Sequence, residues 1–199
     1  MPLLCHNADI LKNDIEFSAF FMNSPSTEST SEDLTFEQAI AQTETLLENI
    51  AANDLSESET EAAIANLVKT HNGARGFFVT YLSDPRVFVD RPSEAVLRGL
   101  EAAPEIVPDL LIKNVAMSAA MVIYHRRNQQ EDMAASSDRV RSRSVHLIQS
   151  LNIPVLDTMV KQLLETIQTG SGEYQSFLER WGYDSEQQEA IAQALQPLM

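Results

Sequence analysis

The sequence predicts an all-α fold: a single-domain bundle of about seven or eight helices behind a disordered N-terminal leader. Three observations carry this. Helix-start signatures recur before apolar runs, at Thr35, Ser56 and Asp184. The runs themselves repeat at helical spacing rather than alternating. Only one stretch, Phe77–Leu82, has the aromatic and β-branched composition of a strand, and an isolated two-stranded hairpin is marginal in water.

Residues 1–33 read as a polar leader. Asp9, Lys12, Asp14 and Glu16 interrupt the apolar stretch a signal peptide needs. Met22 is followed by Asn-Ser-Pro-Ser-Thr-Glu-Ser-Thr-Ser, a composition that buries too little apolar surface to order. Met22 thus reads as a natural start, which would leave residues 1–21, and with them the sole cysteine, Cys5, outside the natural protein. A genuine polar arm is the alternative.

The helical domain spans 34–199. Thr35-Phe36-Glu37-Gln38 is a capping box, and Phe36, Ala39, Ile40, Leu46, Leu47 and Ile50 follow as one stripe. Asn53-Asp54-Leu55 breaks that run. Ser56-Glu57-Ser58-Glu59 starts the next, with Ala63, Ile64, Leu67 and Val68 as its stripe, so the pair reads as an antiparallel αα-hairpin. Gly73-Ala74-Arg75-Gly76 reads as a helix C-cap and tight turn, since no strand precedes it and no Lys-Ser/Thr follows to make a phosphate loop. Phe77–Leu82 is then a short buried helix, its strand reading with Val87-Phe88-Val89 being the alternative.

Pro92-Ser93 opens a helix through Ala102, and Pro104 and Pro108 lead into a longer one from about Pro108 to Gln130. Within it Val115–Tyr124 is apolar around nearly the whole circumference, the mark of a central core helix, and about half the length that spans a bilayer. A helix from about Met133 to Leu151 follows. Pro154 starts the next, which ends at Gly170. Ser171-Gly172 caps a short helix through Trp181. Asp184-Ser185-Glu186-Gln187 caps the last, to Leu195.

Charge is sorted along the chain. Residues 1–68 hold thirteen acids against Lys12 alone, residues 69–143 hold eleven bases against nine acids, and the remainder is acidic again. The net charge of −15 and pI near 4.5 argue against generic nucleic-acid binding, because a duplex demands a basic face, and leave only RNA binding through a local patch. Yet all five bases from Met117 to Ser150 are arginines: Arg126, Arg127, Arg139, Arg141 and Arg143. Guanidinium groups pair bidentately with carboxylate or phosphate, so a local patch of them points to one selective acidic or anionic partner.

Two clusters carry that reading. In His125-Arg126-Arg127-Asn128, successive helical residues are about 100° apart, so His125 and Arg126 reach one side and Arg127 another. They are an anion or acidic-partner site, or they solvate a helix end where the dipole favours cations. In Arg139-Val140-Arg141-Ser142-Arg143, Arg139, Arg143 and His146 share a face at i, i+4 and i+7, with Arg141 pointing away. Internal pairing with Asp138, Glu131 or the acidic first hairpin is the leading reading there, ahead of a partner surface and, third, a phosphate site. Arg75 is a further candidate anchor for an anion.

No local pattern supports metal or cofactor binding. His71, His125 and His146 are too far apart for a local ligand set, and no Cys/His cluster or HExxH exists. No Gly-x-Ser-x-Gly elbow or carboxylate pair in an apolar run nominates a catalytic residue. Trp181-Gly182-Tyr183, with Tyr174 and Phe177, reads as packing for the last two helices.

The run Asn72–Leu82, together with Asn114-Val115-Ala116-Met117-Ser118 and His125-Arg126-Arg127-Asn128, resembles a group of uncharacterised cyanobacterial conserved helical proteins, from about Leu34 to the C-terminus. The resemblance implies a bacterial cytoplasmic setting and carries over no activity, cofactor or site residue. The sequence reading is therefore a non-enzymatic interaction, assembly or adapter protein whose arginine-rich face binds an acidic protein surface, without spanning a membrane. The alternative is a small-molecule binder, for a tetrapyrrole, acyl or phosphorylated ligand, with an apolar pocket beside the core helix and Arg75, Arg126 or Arg127 as anchor. An enzyme of another type stays open as a third reading.

Overall fold

Local capping explains where the helices begin. In a computed structural model, which describes residues 34–199, Thr35 accepts from the Gln38 N–H while the Gln38 side chain accepts from Thr35, and α1 runs Phe36–Ala52. The same reciprocal box at Ser56 and Glu59 opens α2 (Glu57–Val68). α3 (His71–Ser83) follows, then a 3₁₀ turn at Val87–Asp90 and α4 (Glu94–Glu101). The core helix α5 is Val107–Arg127, α6 is Glu131–Ser150, α7 is Val155–Thr169, α8 is Gln175–Trp181 and α9 is Ser185–Leu195. The described residues thus form nine α-helices and no strand, one or two helices more than the sequence pattern predicts.

Phe77–Leu82 is helical, and the strand alternative is excluded. The glycines before it have a different role from the one their sequence suggests. Gly73 and Gly76 lie inside α3, whose N-cap is Thr70, with its side chain accepting from the Gly73 N–H. A Cβ at Gly76 would stand 2.5 Å from the Ala39 Cβ and 3.0 Å from backbone of α1, so glycine sets how closely α3 lies on α1. Gly99 does the same for α4 on α2, against Ile64 at 2.8 Å. Consequently α1 packs chiefly on α3, and α2 on α4, with little contact across the first hairpin itself.

α5 sits among α3, α6, α7 and α9. Leu111, Ile112, Val115, Ala116 and Ala120 are fully buried, each large side chain contributing about 1.5–3 kcal/mol relative to exposure. By length and composition α5 is the one described helix able to cross a bilayer, but 67% of that stretch is buried within the protein. Most of its apolar surface is already used by the fold. The helix stops at Arg127, short of the Gln130 boundary the sequence suggests, because Gln129 turns left-handed at φ 58°. α8 is preceded by Tyr174 at its N-cap, not by Ser171-Gly172. As anticipated, Tyr174 and Tyr183 are buried, and Phe177 meets both ring edges at 6.4 and 6.2 Å.

Candidate functional site

The chain's own carboxylates claim several of the arginines that the sequence singles out. Arg127, at the end of α5, makes paired hydrogen bonds to Asp184 and Glu186 at the start of α9. These bonds raise the Arg127 pKa further and hold the Asp184 carboxyl down at about 2. Asp184 is also the N-cap of α9, and Gln187 of the same box donates to the Ala120 carbonyl of α5. Arg127 is therefore an interhelix clasp.

Arg143 is withdrawn further. Its side chain is 5% exposed, donates to Asp90 Oδ1 at 2.7 Å, and caps the Leu82 and Asp84 carbonyls at 2.8 and 2.6 Å. Cations are favoured at a helix C-terminus, and this one locks the end of α3 to the 3₁₀ turn. The expectation that Arg139, Arg143 and His146 share a solvent face is thus corrected: Arg143 turns inward, while Arg139 and His146 remain exposed on the outer stripe of α6. Their i, i+7 spacing keeps those two on one side, and Arg143 sits at the buried border of that stripe.

His125 is buried, with Nδ1 3.0 Å from Gln130 Oε1 and its ring edge-on to Tyr124, so it closes the α5–α6 turn. Arg75 is half-buried with its guanidinium 5.2 Å over the Phe36 ring, and burial lowers its pKa. It belongs to the α1–α3 seam.

Arg126 and Arg141 converge. They line one cleft of about 360 Å³ between α5, α6 and α9, with Ala119, Val122, Ile123, Ala190 and Ala194 as its apolar surface and Asp138 and Gln193 at its edge. Arg141 is held by Asp138 at 2.7 Å, one turn back on α6. Arg126 is held more loosely, with Glu131 at 4.0 Å and 58% of its side chain exposed. The cleft therefore offers one nearly uncommitted guanidinium, a second already oriented by a carboxylate, and an apolar floor. Arg141 is the residue that sequence spacing set apart from the cluster. The signal for it was available in the Asp138–Arg141 i, i+3 pair, but its cleft neighbours come from α5 and α9.

Among the described residues no group of three or more His, Cys, Asp or Glu side chains is placed to hold a metal ion. What the fold and the cleft define is a helical protein with an arginine-edged interhelix recess. The chain belongs to the family described as uncharacterised conserved protein UCP020893, whose model matches residues 35–198. No curated protein and no solved structure matches it.

Proposed function

We propose that this chain is a non-enzymatic binding protein that receives an acidic segment of a partner protein in the α5–α6–α9 cleft. The observation that carries the reading is the meeting of two guanidinium groups from different helices, Arg126 and Arg141, over an apolar floor. Arginine pairs bidentately with carboxylates, and an apolar floor adds side-chain burial to that pairing. The net negative charge of the chain repels polyanions in general, so an acidic partner needs a local basic site such as this one. Arg139 and His146, on the neighbouring outer stripe of α6, extend the attraction beyond the cleft.

The test is a photo-crosslinking residue at Gln193, at the cleft edge, in protein expressed in its own host. An acidic peptide crosslinked from Gln193, and lost with Arg126→Glu, supports the reading. An adduct unchanged by Arg126→Glu, or none at all, overturns it. A small carboxylate- or phosphate-bearing ligand is the second reading, favoured by a cleft volume within the range of about 300–1,000 Å³ typical of ligand sites. A ligand-sized mass retained by the intact protein would select it.

A further inference from the structure

A second cleft, of about 310 Å³, lies between the ends of α7 and α8 and the first turn of α9, lined by Thr166, Gln175, Leu178, Glu179, Tyr183 and Gln188 together with Gly170 and Gly182. Its chemistry is the reverse of the first. No basic residue lines it, and Glu179 is its one charged group. α7 ends there at Gly170 with no base in its last turn, leaving the negative end of its dipole uncompensated. α8 also ends there, at Gly182; its Arg180 is exposed and sits over the Trp181 ring.

The polar side chains are arranged as acceptors. The Gln175 amide nitrogen donates to Glu179 Oε1 at 2.8 Å, and the Gln188 amide nitrogen donates to the Tyr183 carbonyl at 2.9 Å. Among the described residues neither amide oxygen accepts a hydrogen bond, and nor does the second carboxylate oxygen of Glu179. Thr166 is spent internally, donating to the Gln162 carbonyl and accepting from the Tyr174 N–H. Leu178 and the Tyr183 ring supply a short apolar wall, and the buried Tyr183 hydroxyl has no hydrogen-bond partner among the described residues.

We propose that this cleft is a binding site for a small organic ammonium ion, an alkylamine. An ammonium group brings three donors and one positive charge to a site built from a carboxylate, open amide oxygens and a helix C-terminus. A short alkyl chain fits the Leu178–Tyr183 wall, and the aromatic face adds cation–π attraction. This site is independent of the arginine cleft.

Trp181, the chain's sole tryptophan, adjoins Gly182 and reports occupancy by fluorescence. The experiment titrates the full chain with butylammonium and, in parallel, with neutral butanol. It is repeated on Glu179→Gln and on Glu44→Gln, which removes the same charge from an exposed position on α1. The expected result is saturable binding of butylammonium alone, weakened about tenfold or more in Glu179→Gln, since a charge-assisted hydrogen bond is lost, and unchanged in Glu44→Gln. Equal weakening in both variants would reduce the effect to diffuse attraction by an acidic protein. That outcome, equal binding of butanol, or no saturable signal each overturns the proposal.

Discussion

Replacing Arg143 with methionine separates a structural arginine from a docking one. Methionine keeps the length and apolar stem of the side chain but removes three donors. Asp90 loses its partner at 2.7 Å, and the Leu82 and Asp84 carbonyls lose their caps at 2.8 and 2.6 Å. Breaking a buried ion pair from one side costs about 3–5 kcal/mol. Asp90 is half-exposed and rehydrates, which places the loss near the lower end, at about 3 kcal/mol. For a chain of this size that corresponds to a fall of about 6–12 °C in Tm. Asp90→Asn keeps Arg143 and its two carbonyl bonds but leaves the buried guanidinium without a counter-charge, so its loss is about 1.5–3 kcal/mol. Urea denaturation of both variants and of the double variant measures the coupling between them. The reasoning fails if Arg143→Met loses less than about 1 kcal/mol, or if it keeps full stability while losing partner binding.

Other consequences follow from the same contacts. Gly76→Ala places a methyl 2.5 Å from the Ala39 Cβ and against α1 backbone, an overpacking cost of about 1–3 kcal/mol in chemical denaturation; a neutral result would mean that α3 does not lie this close. Asp184 has a folded-state pKa depressed to about 2, so its contribution is present above its unfolded value near 4 and is lost as pH falls through about 2. Asp184→Asn, which keeps an N-cap, should flatten that acid limb of the Tm–pH curve, and an unchanged limb would dismiss the Arg127 clasp. Ser56→Ala removes the box that opens α2 and should cost about 1 kcal/mol by the same denaturation.

The sequence made the helix starts legible because capping is local. Thr35, Ser56 and Asp184 each find their partner three residues on, and the structure places all three boxes where that spacing puts them. Val115–Ala120 was readable as core for a related reason, since an all-round apolar stretch has no solvent face to offer, whereas Tyr124 at the end of the predicted segment is half-exposed. Gly73 and Gly76 misled because glycine serves both turns and close helix contacts, and only tertiary neighbours decide between them: the Leu67 carbonyl at the end of α2 for Gly73, and Ala39 on α1 for Gly76. The arginines were legible as a cluster but not as individuals. Arg127 meets Asp184 57 residues away and Arg143 meets Asp90 53 residues away, distances that helical spacing does not encode. Arg126 and Arg141 join only because α5 and α6 pair against α9, so their common cleft is a tertiary fact.

Hydrogen exchange of the full chain, with and without the acidic segment crosslinked at Gln193 supplied as a peptide, tests the central claim most directly. The account predicts added protection in the Val122–Arg126 turn of α5 and around Ala190–Ala194 of α9, abolished by Arg126→Glu. Protection confined to the outer stripe of α6 around Arg139 and His146, with the cleft backbone unchanged, would contradict it.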